Sequence, residues 1–151
     1  MTDVRRARPS DGEAIAAVWL RSRAASVPAI PAPVHPDDEV RDWFHRVVLP
    51  EREVWVAEAG RSVVGLLVLH GDELDQLYVD PDHVGVGIGS RLLALAQEER
   101  PAGLALWTFA ANAGARRFYE RHGFVAVGGT GGDNEEGAPD VRYEWRSVSR
   151  G

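Results

Sequence analysis

The chain is expected to form one α/β domain, in the α+β sense, around a mixed sheet in the order β-α-α-β-β-β-α-β-α-β-β. Three observations lead there. The apolar runs 54–58, 63–69 and 74–79 are separated only by Ala59 to Ser62 and by Gly71 and Asp72, turns short enough for antiparallel hairpins. Downstream, strand-like and helix-like stretches alternate, which brings crossovers and a parallel pair into the sheet. The third is composition: 151 residues, 44% hydrophobic and 26% charged, is one ordinary domain able to bury its own core.

Val4 to Ala7 reads as a short strand. Pro9, Ser10 and Asp11 mark a helix start, with Ser10 or Asp11 as N-cap, and the spacing of Ile15, Val18 and Trp19 carries the helix to about Ala24. Residues 26–36 hold Pro28, Pro31, Pro33 and Pro36 and are expected to be an irregular loop. Asp37 or Asp38 opens a second helix to about Val48. The three-strand meander follows, then a loop with Gly85, Gly87 and Gly89 and a helix from Gly89 or Ser90 to about Glu99. Residues 103–109 form a strand and 112–122 a helix, which Gly123 ends as the residue after its last turn. Strand 124–127, a glycine-rich loop over 128–133 and strand 141–145 complete the chain. No repeat or linker divides it.

Composition narrows the chemistry. There is no cysteine, so disulfides, thiolate metal sites and a cysteine nucleophile are excluded. All 17 basic residues are arginine, so no lysine base or P-loop lysine exists. The net charge of −6 and pI near 5.3 disfavour a nucleic-acid surface and suit a cationic acceptor. No apolar run reaches membrane-spanning length, and residues 1–8 lack a signal-peptide core, so a cytoplasmic protein is expected. His35 stands in the proline loop without a companion ligand, and no metal is expected.

The stretch from Leu77 to Leu93 carries the strongest functional signal. An apolar strand enters a glycine loop that runs into a helix start. Glycines let the main chain approach a ligand, and the helix start adds free N–H groups and partial positive charge. Such a cradle suits a phosphate or pyrophosphate. The glycines at 85, 87 and 89 do not follow the dinucleotide G-x-G-x-x-G pattern, and they lie in mid-chain.

The window Val84 to Gly89 resembles the Q/R-x-x-G-x-G/A signature of the GNAT superfamily of N-acetyltransferases. Asn112 to Phe124 is similar to that family's second block, N-x-x-A-x-x-F-Y-x-x-x-G-F. Both blocks, in order and within a matching strand order, span the domain best from 63 to 124. The resemblance implies a parallel strand pair that splays, with acetyl-CoA as co-substrate in the gap. Val84, Gly85, Val86, Gly87, Ile88, Gly89 and Ser90 would hold the pyrophosphate, mostly through main-chain amides. Leu77, Tyr78 and Val79 would border the pantetheine arm. Val84 stands where the family has Gln or Arg, a place that Arg91 or another arginine would have to fill.

Asn112 matches a pantetheine-contacting position and is equally well suited to be an N-cap. Tyr119 matches the general acid that protonates the departing thiolate; a phenol is protonated at neutral pH. Glu73 matches the base position of one branch of the family. Asp75, two residues on, would share its strand face, and the pair would raise one carboxyl pKa; a water chain is the alternative. The acidic loop with Asp133, Glu135, Glu136 and Asp140 would overhang the acceptor. Trp19, His35, Trp43, Phe44 and Tyr78 are the other acceptor-pocket candidates. The implied function is direct acetyl transfer to a primary amine of a small molecule or peptide, the alternative being a CoA-binding sensor without strong catalysis. A homodimer is common in the family; neither nucleic acid nor membrane is expected as partner.

Overall fold

A computed structural model describes residues 2–27 and 31–147, so Pro28 lies outside the described residues. The strands are β1 (Thr2–Arg6), β2 (Glu53–Ala59), β3 (Ser62–His70), β4 (Glu73–Val79), β5 (Leu104–Phe109), β6 (Val125–Thr130) and β7 (Asp140–Trp145). The helices are α1 (Gly12–Ser26), α2 (Asp37–Trp43), α3 (Leu49–Glu51), α4 (Ile88–Glu99) and α5 (Ala113–Arg121). One sheet runs β1-β2-β3-β4-β5-β7-β6, antiparallel throughout except for the parallel β4–β5 contact. None of the described helices is long and apolar enough to cross a membrane.

Residue alternation in β3 divides the core. Leu66 and Val68 face Ile15, Trp19, Val40 and Phe44 on the α1–α2 side. Leu67 and Leu69 face Leu92, Leu93 and Ala96 of α4 on the other. Helices on both faces explain why β3 reads as a nearly continuous apolar run rather than an alternating one.

Two features of the sheet position the site. Between β3 and β4, Val68 pairs with Gln76 and Leu69 with Leu74, so Asp75 is an extra, unpaired residue: a β-bulge. Between β4 and β5 the register holds only at Glu73 opposite Ala105. Past that point the strands part. The Asp80 amide donates to the Val64 carbonyl at 2.7 Å. Antiparallel alternation then turns the amides of Leu77 and Val79 toward the gap.

The structure corrects several expectations. Asp11 occupies the N-cap of α1 without bonding to it. Its carboxylate closes a 3-10 turn by accepting from the Arg8 amide at 2.6 Å, and it accepts twice from Arg5 at 2.9 and 3.0 Å. The Arg5 partnership holds the Asp11 carboxyl below the ordinary carboxylate range. The second helical segment is longer than expected. It passes from α2 through a π-turn (Phe44–Val48) into α3, because Pro50 has no N–H to continue the ordinary ladder. Residues 128–130, expected in a loop, complete β6 against β7 after an irregularity between Ala126 and Gly128.

Candidate active site

The turn after β4 is a 3-10 turn (Pro81–His83) capped by Asp80, whose side chain accepts from the Asp82 amide at 2.9 Å. The glycine loop then departs from ordinary backbone. Gly85 (φ +81°) and Gly87 (φ +86°) take left-handed conformations, and Gly87 is the N-cap of α4. Gly89 has ordinary helical φ and is seated against Phe118 and Val79. Among the described residues, no main-chain amide from Val84 to Ser90 has an acceptor; the first loop-to-helix bond is from the Arg91 amide to Gly87 O, 3.0 Å. Val84 and Val86 face solvent, whereas the Ile88 side chain is in the core. Ile88 can therefore serve a ligand only through its amide. The Arg91 guanidinium donates to the Thr2 carbonyl.

A cleft of about 630 Å³ occupies the gap between β4 and β5. Leu77, Tyr78, Val79, Val84, Asn112 and Tyr119 all line it; among residues 84–90 only Val84 does, so the glycine loop lies at its end. Asn112 is the N-cap of α5, accepting from the Ala115 amide at 3.1 Å. Its side-chain NH₂ remains available to the cleft. Tyr119 is 8% exposed, wedged edge-on against Phe118 and Phe124. Burial pushes its phenol far above the usual value, with Tyr78 adding to the shift. Its hydroxyl has no hydrogen-bond partner among the described residues.

A second cavity of about 570 Å³ adjoins the first. Asp75, Gln76, Tyr78, Trp107, Phe109 and Glu136 line both, so the two form one continuous space. The predicted acceptor residues Trp19, His35, Trp43, Tyr78 and Glu135 all line this second part, while Phe44 is in the core beneath it. Trp19 is fixed by Nε1 donating to Gln76 Oε1 at 3.1 Å. Burial raises the Tyr78 phenol also, with Arg23 opposing.

The expected carboxylate pair is not formed. The bulge at Asp75 breaks the two-residue alternation. Asp75 pairs with Arg52, while Glu73, in neither cavity, pairs with Arg142, one bond being 2.8 Å. Each therefore faces its own cation rather than the other carboxylate. Several lining residues lie outside the predicted set, Arg23, Gln76, Trp107 and Phe109 among them, whereas Glu136 belongs to the predicted acidic loop. Arg23, on α1, is buried in the second cavity. Glu136, one of four clustered acidic candidates, reaches both cavities.

His35 joins the two flaps of the second cavity. Its Nδ1 meets Glu39 Oε2 at 3.0 Å and its Nε2 meets Glu135 Oε1 at 2.5 Å. Glu135, then Glu39, raises its pKa above the ordinary 6.5. A raised folded pKa means that the link is at full strength below about 6.5 and is lost as pH rises through the elevated value. An NMR titration of the His35 ring should give a midpoint above 6.5, and Glu135→Gln should bring it down. A midpoint at or below 6.5 in the unmodified chain would show that the link does not persist in solution.

An antiparallel meander, a sheet opened at one parallel pair and a free-amide glycine loop before α4 define an acetyltransferase of the GNAT type. The GNAT acetyltransferase domain model matches residues 50–126, and the chain belongs to that family. It is 34% identical over 131 residues to the peptidyl-lysine N-acetyltransferase YjaB of Salmonella typhimurium, covering 85% of this chain and 86% of that one. The solution structure of apo YjaB from Escherichia coli superposes with a TM-score of 0.78 at 29% identity, over 98% and 99% of the two chains. YncA of Salmonella typhimurium, a putative acetyltransferase solved with its cofactor acetyl-CoA, shares the fold: TM-score 0.73, 17% identity, 100% and 96% coverage.

Proposed function

We propose that the chain transfers the acetyl group of acetyl-CoA directly to a primary amine. One observation supports this most: Val84, at the start of the loop whose amides 84–90 are unpartnered, and Tyr119, whose hydroxyl is unpartnered, line the same cleft. The residues fit the co-substrate. The free amides and helix start suit a pyrophosphate. The open edge of β4 offers main-chain bonding to an amide-rich pantetheine arm. An amide of Leu77 or Val79 polarises the thioester carbonyl. The amine nitrogen attacks that carbon, the C–S bond breaks, and Tyr119 gives the departing sulfur its proton. The amine's proton passes to a carboxylate at the junction of the cavities. Glu136, which has no ion-pair partner among the described residues, suits that role better than Asp75, which is held by Arg52. Glu73 lines neither cavity and is paired with Arg142, so it suits the role less. The Salmonella relative is named as a peptidyl-lysine N-acetyltransferase, and a lysine side chain is a primary amine of this kind.

Acetyl-CoA titrated into the chain should release heat with a one-to-one endpoint, and a panel of amines should include at least one that liberates free thiol faster than water does. No heat, or thiol release unchanged by every amine, would end the proposal. Gly87→Val should weaken acetyl-CoA binding about tenfold, because a β-branched residue at positive φ is strained by about 1–2 kcal/mol and the loop must shift to relieve it. Unchanged affinity by calorimetry would remove the loop from the binding site.

A further inference from the structure

The charges lining the second cavity are nearly all neutralised within the chain. Asp75 is paired with Arg52, and Glu39 and Glu135 share His35. Two lining groups remain. Arg23, the one arginine lining either cavity, is 4% exposed and packs over the rings of Trp19 and Phe109 at 5.0 and 5.6 Å. It donates to the Pro31 carbonyl at 3.0 Å, and its Nε has no acceptor. Among the described residues no carboxylate pairs with it. Glu136 is the converse: a carboxylate lining both cavities without a bonded partner. A buried guanidinium without an anion is costly to maintain. Nε itself is closed to solvent, but Arg23 lines the second cavity, where the rest of its guanidinium can take an anion from a ligand.

We infer that the acceptor is a small zwitterion, an amine that bears a carboxylate on the same short skeleton, as a free amino acid does. The carboxylate sits at Arg23 between the aromatic faces. The ammonium sits at Glu136, at the junction with the cleft where the thioester would lie. Arg23 lines only the second cavity and Glu136 lines both, so the order along the space sets the amine toward the acetyl donor. A lysine within a peptide has no carboxylate close to its ε-amine and leaves Arg23 unanswered. The inference rests on the acetyl-transfer proposal, and it names the acceptor class.

The test uses the full chain and needs no variant at first. Trp19, Trp43 and Trp107 line the second cavity, so tryptophan fluorescence reports its occupancy. L-leucine, L-phenylalanine and L-glutamate are titrated, each beside its α-amide, with an Nα-acetyl-lysine amide as the peptide mimic. At least one free acid should bind on the order of 100-fold more tightly than its amide, the scale of a buried charge-assisted pair. Arg23→Gln should bring that ratio near one, and Arg23→Lys should restore part of it. Equal binding of acid and amide, preference for the lysine mimic, no saturable response to any acid, or a ratio unaltered in Arg23→Gln each overturns the inference. Because the ratio is read from binding in the free chain, it stays measurable if acetyl transfer itself fails. Failure of transfer would instead appear as absent thiol release with every amine.

Discussion

Tyr119→Phe should lower kcat by about 10²- to 10³-fold, the usual range for losing a positioned proton donor, and leave acetyl-CoA affinity within about twofold. The substitution removes one hydroxyl that has no protein partner, and the ring keeps its contacts with Phe118, Phe124 and Tyr143. Stability should therefore be nearly unchanged, which separates this outcome from a folding defect. Burial has raised the phenol pKa, so the group stays protonated well past neutral pH. The wild-type rate should accordingly show no alkaline decline from this residue in the ordinary tyrosine range. An acyl donor with a more acidic leaving thiol should recover part of the loss in the variant, because its sulfur needs less help. A kcat reduced less than about threefold, measured by thiol release at saturating donor, would remove Tyr119 from the chemistry.

Phe44→Ala should destabilise the fold by about 3–5 kcal/mol, the range for truncating a buried phenylalanine. Phe44 is fully buried where α2 turns into the π-turn, edge-on to Trp19 at 6.2 Å and Trp43 at 5.0 Å. Those two rings line the second cavity, the proposed acceptor site. The cavity left behind should loosen both, so acceptor affinity should fall with stability while acetyl-CoA binding, on the far side of the sheet opening, changes little. Urea unfolding with an unchanged m-value gives the measurement. A loss below about 1 kcal/mol would mean that the π-turn repacks over the vacancy.

The two outcomes probe parts of the molecule that the sequence announces unequally. The meander and the α4–β5–α5 series follow from periodicity and turn residues, since each element has a strong local signal. Gly87 is equally legible, because the residue type and its left-handed backbone coincide. The bulge at Asp75 is not. It is one unpaired residue in an otherwise regular strand, and it separates Asp75 from Glu73 by register rather than by residue type. Ion-pair choice is also hidden. Arg52 and Arg142 reach Asp75 and Glu73 across 23 and 69 residues of chain, a coincidence of tertiary placement. Arg23 looks in sequence like any polar position on an amphipathic helix. Only packing shows it buried between two aromatic rings.

The parting of β4 from β5 has a consequence for how such a molecule can change over generations. The rim of that opening is peptide backbone, which every residue type supplies alike. In the proposed reading, donor recognition there would be largely indifferent to which side chains occupy β4. On the same reading, acceptor preference would rest instead on side chains of the second cavity, many of them from α1, α2 and the β6–β7 connection. New acceptors can be acquired by ordinary point mutation in those three segments, with the hold on the acyl carrier left intact.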